Sequence, residues 1–300
     1  MQRRFATLDV FTDRRFAGNP LAVVLDAAGL DTAAMQAVAR EFNHPETVFV
    51  LPPQDTRHRA RLRIFTPARE LPFAGHPTVG TAVLLALQDG APAGREIVLE
   101  EAIGPVRCTF EADSGERGRV RFVIPQLPAE VEPVPDEATI AAALNLAPAE
   151  IGFSRYRPSR WSAGNAFTFV PVTGLAAMAR TWPDPATFDA AFGADGVVAA
   201  AFLYCGECAE PEHDFHARMF APKMGITEDP ATGSGAAAFA GVLARFAGLR
   251  DGEHAIVIEQ GYEMGRPSLI HLTITLRDGK LTAASIGGDA VIVTQGTITA

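Results

Sequence analysis

The 300-residue chain has only three cysteines, Cys108, Cys205 and Cys208. Three thiols make no disulfide framework, which points to a reducing, cytoplasmic setting. Positive charge is also scarce: 26 Lys and Arg against 35 Asp and Glu leave a net charge of −9. A phosphate backbone repels such a chain, which argues against nucleic acid as a partner. Long hydrophobic runs are missing as well. The longest smooth stretch, Gly196 to Gly206, falls far short of the roughly 20 residues that cross a bilayer, so no membrane partner is expected. The opening arginines are followed by no sustained apolar stretch before Asp9, as a secretory signal would require. What remains is an ordinary globular composition, 48% apolar and 20% charged, with enough chain for two modest domains.

The chain repeats itself. Ala17-Gly18-Asn19-Pro20-Leu21-Ala22-Val23-Val24 returns as Ala163-Gly164-Asn165-Ala166-Phe167-Thr168-Phe169-Val170, and Arg63-Ile64-Phe65-Thr66-Pro67 as Arg218-Met219-Phe220-Ala221-Pro222. Glu70-Leu71-Pro72-Phe73-Ala74-Gly75-His76 is matched by Glu228-Asp229-Pro230-Ala231-Thr232-Gly233-Ser234, and Glu100 by Glu259 at nearly the same distance. Four segments in one order indicate a tandem duplication. The halves are expected at residues 1–120 with 285–300, and at 121–284, the chain crossing near Gly115–Gly118 and Pro125–Pro135.

Each half opens on strands bounded by a Gly-Asn turn. In the first half Asp31 is placed to cap a helix with an apolar stripe of Ala34, Met35, Val38, Ala39 and Phe42. Strands follow at Thr47–Leu51 and Ala60–Phe65. Then comes a helix without charge, Pro77–Leu87 in one half and Gly235–Ala244 in the other, which must be buried on every side. A final strand, Ala290–Ile298, is free to return to the first half. The fold class expected is α+β, two similar domains with strands around one buried helix each.

The loops entering those helices carry the candidate chemistry. Phe73-Ala74-Gly75-His76-Pro77 leads into one, with Pro77 suited to the first helical position. Asp229-Pro230-Ala231-Thr232-Gly233-Ser234-Gly235 leads into the other. A helix start offers unpaired amides and the positive end of the macrodipole, which suits a carboxylate. Taken singly, each loop is also explained as a capped turn; a glycine and a polar residue repeated in both halves favour a site.

Gly18-Asn19-Pro20, Asn43-His44-Pro45-Glu46-Thr47, Glu70 to Pro77, Glu228 to Ser234 and Gly265-Arg266-Pro267-Ser268, taken together, resemble the PhzF family of phenazine-biosynthesis isomerases. The resemblance runs almost end to end. It implies a diaminopimelate-epimerase-like fold with the active site in the cleft between domains, a homodimer, no cofactor and no metal. It implies that Glu46 is the general acid/base moving a proton between carbons of a cyclic amino-acid diene. It further implies that His76 and Asp229 line the substrate pocket, and that Ser234 with the Gly75 and Gly233 amides holds the substrate carboxylate. Burial at the start of an apolar strand should raise the Glu46 pKa toward neutrality. His44, beside it, is a candidate to orient it.

Diaminopimelate epimerase and proline racemase use paired thiols at the two helix starts. Here Leu71 and Asp229 fall near those positions, so thiol racemisation is excluded by composition. The reaction expected is isomerisation of trans-2,3-dihydro-3-hydroxyanthranilate or an analogue; the alternatives are a thiol-free amino-acid epimerase or racemase, and a non-catalytic carboxylate-binding protein. Pro45, where better-known members often have serine, leaves the substrate open. Gly233-Ser234-Gly235-Ala236-Ala237-Ala238 with Glu259 mimics a dinucleotide motif, but Glu228 and Asp229 would repel a pyrophosphate. Cys205, Cys208, His213 and His216 have zinc-ligand types; they are read as a solvated loop and a strand histidine. Arg14-Arg15 and Arg57 to Arg63 are read as solvated faces, and Trp161 and Trp182 as core or interface packing.

Overall fold

The computed structural model describes residues 1–113, 115–193 and 199–300, so the opening of the smooth stretch read from Gly196 lies outside the described residues. The chain forms two compact units, Met1–Val123 with Gly287–Ala300, and Ile124–Ile286. No described helix is long and apolar enough to cross a membrane.

The first unit contains β1 (Gln2–Val10), β2 (Asn19–Val24), α1 (Thr32–Phe42), β3 (Glu46–Leu51), β4 (Ala60–Phe65), β5 (Glu70–Leu71), α2 (Gly75–Asp89), β6 (Glu96–Glu101), β7 (Gly104–Asp113) and β8 (Arg117–Val123). Asp31 caps α1 by accepting from the Ala34 amide, and Asn43 ends it in the left-handed conformation. Met35, Val38 and Ala39 of the expected stripe are buried. Helix α2 is wrapped as its composition demands: Gly75 through Ala86 are all buried, against β1, β2, β3, β6, β7 and β8. It begins two residues before Pro77, which therefore takes the third helical position rather than the first. Proline is tolerated there because the first-turn amides have no intrahelical acceptor anyway.

The second unit contains β9 (Ala129–Glu130), α3 (Glu137–Leu144), β10 (Ser159–Ser162), β11 (Ala166–Pro171), α4 (Leu175–Arg180), α5 (Phe188–Phe192), β12 (Ala201–Cys205), β13 (Phe215–Ala221), β14 (Ile226–Asp229), α6 (Gly233–Phe246), β15 (Gly252–Gln260) and β16 (Ser268–Arg277). Its buried helix is α6, packed on β9, β10, β11 and β16. A last strand, β17 (Lys280–Thr299), starts earlier than the sequence indicates and carries the chain into the first unit. There it pairs antiparallel with β1, from Val10–Ala290 to Gln2–Thr299. Trp161 is buried in the core, whereas Trp182 is 51% exposed, with its ring 6.3 Å from that of Phe220.

The duplication extends to polar residues whose pairing no repeat search reveals. His58, Arg61 and Arg63 stand 155 positions before His213, His216 and Arg218. Arg63 makes a two-pronged ion pair with Glu70, and Arg218 makes the same pair with Glu228 at 2.7 and 2.9 Å. Glu100 accepts from the Gln54 and Asp55 amides and the His58 ring. Glu259 accepts from the Ala209 amide and from Nδ1 of both His213 and His216, the rings at 2.6 Å. The two histidines therefore share one buried carboxylate. His213 is not solvated: its side chain is only 8% exposed and its ring is held against Glu259. Burial opposes charging His216, but its bonds to Glu259 and Glu263 outweigh that and push it up to about 9. Burial would likewise raise Glu259, and the histidine bonds instead bring it down to about 2. Arg57, Arg59 and Arg63 pair with Asp55, Asp89 and Glu70, so that run is an ion-paired edge rather than a merely solvated one.

Candidate active site

In the first unit the site is built by chain reversals. Asn43 closes α1, Pro45 cannot continue it, and β3 starts on Glu46 beside Leu21 of β2. The Gly18-Asn19-Pro20 turn precedes that neighbour. Gly18 has φ +63°, and a Cβ there would meet the Val10 carbonyl oxygen at 2.4 Å, so only glycine fits. Glu46 is 8% exposed and His76, the second residue of α2, is 5% exposed. Their facing atoms, Glu46 Oε2 and His76 Nε2, are 3.3 Å apart.

Burial drives the His76 pKa down to about 3, against a ring hydrogen bond to the Pro20 backbone, which can only be to its carbonyl. His76 is thus neutral at physiological pH. With its other nitrogen donating to Pro20, Nε2 presents a lone pair to Glu46. A proton that Glu46 takes up can be shared with that lone pair. The arrangement can hold a single proton in a buried place and release it.

Ala74 supplies no side-chain cap to α2, and Thr232 none to α6. Their first amides therefore remain available to an anion. In the second unit Asp229 ends β14 and is buried. Its Oδ2 accepts from the Thr232 hydroxyl at 2.7 Å. Gln260, fully buried at the end of β15, clamps this loop: its amide nitrogen donates to the Asp229 carbonyl and Thr232 Oγ1, and its oxygen accepts from the Thr232 amide. Gly261 follows with φ +79°, and a Cβ there would meet the Pro230 carbonyl oxygen at 2.6 Å. Gln260 was missed by sequence reasoning; its one signal was its place beside Glu259, itself matched to Glu100. Gly233 is buried and Ser234 partly exposed at the start of α6.

The residue matching Gln260 is Glu101, at the end of β6, which hydrogen-bonds Thr78 of α2 at 2.7 Å. Burial pushes Glu101 up to about 8, against the lowering effect of that bond. Neither helix start carries a cysteine. Burial raises the Cys205 and Cys208 thiols to about 12, and Cys108 also upward, so all three stay protonated. Of the two acids before this loop, Glu228 pairs with Arg218 and Asp229 accepts from the Thr232 hydroxyl; Glu259, bound to two histidines, is not placed as a ribose acid.

The family profile of phenazine biosynthesis-like proteins matches residues 8–296. The chain belongs to the PhzF family. An uncharacterized isomerase of Mesorhizobium japonicum is 49% identical to it over 296 residues, covering 98% of each chain. Trans-2,3-dihydro-3-hydroxyanthranilate isomerase of Pseudomonas aeruginosa is 34% identical over 295 residues, again 98% of each. The crystal structure of a Bacillus anthracis PhzF-family protein matches over 100% of both chains, with a TM-score of 0.90 at 25% identity. A hydroxyproline epimerase of Agrobacterium vitis shares the fold alone, with a TM-score of 0.61 at 12% identity over 99% and 92% of the chains. This PhzF-family chain is an isomerase with the α+β, diaminopimelate-epimerase-like fold.

Proposed function

We propose that this PhzF-family isomerase moves a proton between carbons of a small cyclic carboxylated amino acid, trans-2,3-dihydro-3-hydroxyanthranilate or a close analogue. Glu46 is the general acid/base. Its carboxylate takes the proton as a C–H bond breaks, the electron pair shifts through the conjugated system, and the carboxyl returns the proton to another carbon. No cofactor is needed, because the diene itself accepts the electrons. The assigned substrate-binding residues are Gly75, His76, Asp229, Gly233 and Ser234, with helix-start amides and the Ser234 hydroxyl holding the carboxylate. The observation that carries this reading is the buried pair of Glu46 and a neutral His76 at 3.3 Å. A buried carboxyl with one fixed neighbour is placed to take a proton from carbon and to return it.

The test is turnover of trans-2,3-dihydro-3-hydroxyanthranilate in D2O, followed by NMR. The expected result is a double-bond isomer carrying deuterium at carbon. Tight binding without any proton exchange, across a panel of cyclic amino acids, would make the protein a carboxylate binder. A product inverted at one carbon on chiral chromatography would make it an epimerase or racemase.

A further inference from the structure

The first unit contains a cavity of about 670 Å3 whose walls include His58, Arg61, Arg63, Glu70, Glu100 and Glu101, and neither Glu46 nor His76. We propose that it is a second ligand site, in which Arg61 binds the carboxylate of a small organic acid.

The argument comes from the molecule's own duplicate. In the first unit β6 pairs with β4 at Ala60 and Arg61, and β5 pairs with β4 at Ile64 and Phe65. The edge of β4 at Leu62 and Arg63 lies between those two partners. The second unit has the same gap: β15 pairs with β13 from Phe215 to Ala217, and β14 from Met219 onward. There the connection from β15 to β16 is seven residues long, 261–267, and it brings Glu263 to the gap. Glu263 accepts from His216 Nε2 at 2.9 Å and lies 4.0 Å from Arg218 Nε. In the first unit the corresponding connection, from β6 to β7, is only Ala102 and Ile103, and it brings no carboxylate.

Arg61 occupies the place of His216: it sits across from Glu100 as His216 sits across from Glu259. Its Nε is buried and has no hydrogen-bond partner among the described residues. Of the acids around the cavity, Asp55 is engaged by Arg57, Glu70 by Arg63, and Glu100 by His58 and two amides, while Glu101 bonds Thr78 through one oxygen only and forms no ion pair with Arg61 among the described residues. A buried guanidinium nitrogen without an acceptor is costly, and a carboxylate fits its planar fork. The volume suits a small-molecule ligand. A single guanidinium outside the ion pairs matches the one negative charge of a monocarboxylate.

The experiment uses 4-bromobenzoate as probe, soaked into crystals for anomalous scattering and titrated by calorimetry in solution. The expected result is a bromine peak inside this cavity with the carboxylate on Arg61. Arg61→Gln should weaken that binding at least tenfold. Ala102→Glu, at an exposed position on the cavity wall, supplies the acid that the second unit has in Glu263 and should weaken it as much. Glu46→Gln should leave binding at this cavity unchanged, which separates it from the proposed active site. An empty cavity in soaked wild-type crystals, or wild-type affinity there in both Arg61→Gln and Ala102→Glu, would overturn the proposal.

Discussion

Glu46→Gln is expected to lower turnover by at least about a thousandfold while leaving the fold intact and KM within a few-fold. Glutamine keeps the size of the side chain and can still meet His76, but it binds no proton at any working pH. General acid and general base steps each contribute about a hundred- to ten-thousandfold. One carboxyl performs both here, so its loss removes both together. His76 cannot substitute, because burial holds it neutral down to about pH 3. Deuterium uptake at carbon should vanish with turnover, while thermal unfolding matches wild type. Wild-type exchange in this variant would remove Glu46 from the mechanism.

Glu101→Gln is expected to stabilise the protein at alkaline pH and to change little in mild acid. Glu101 keeps its proton to about pH 8 in the folded state, whereas the free carboxyl loses it near 4.5. A folded-state pKa raised in this way means that the folded form holds a proton the unfolded form has released. Stability is therefore lost as pH rises from 4.5 through 8, by about 3 kcal/mol at pH 7. The hydrogen bonds agree with a neutral carboxyl. Thr78 Oγ1 lies 2.8 Å from the Ala74 carbonyl and 2.7 Å from Glu101 Oε1. A hydroxyl has a single hydrogen and the carbonyl only accepts, so a protonated Glu101 lets both contacts be hydrogen bonds. Glutamine donates in the same way, as Gln260 does to Thr232 Oγ1 in the second unit. The melting temperature of Glu101→Gln should match wild type at pH 5 and exceed it by about 6 °C at pH 8. A difference that does not grow with pH would show that Glu101 is ionised in the folded protein.

The elements were legible where local chemistry decides them. Asp31 and Asn43 mark the ends of α1, and the two charge-free segments are the two buried helices. Glu46 could be placed at a strand start because Pro45 ends the preceding turn. What stayed hidden depends on residues distant in sequence. Gln260 is an ordinary polar residue until the fold brings it against Thr232. The Pro20 carbonyl gives no sequence signal of receiving the His76 ring. His213 and His216 look like a loop and a strand residue, and only β15 shows that both reach Glu259. The arginines from Arg57 to Arg63 read as one basic run because sequence shows their spacing but not the acids that face them.

The most direct measurement follows one hydrogen. Substrate deuterated at the carbon that loses its proton is turned over briefly in ordinary water, and the product is read by NMR. A lone, buried Glu46 carboxyl that lifts and returns the same hydrogen predicts that part of the label reappears at the new carbon. Complete loss of the label to solvent, with turnover unimpaired, would contradict direct return of that hydrogen by Glu46.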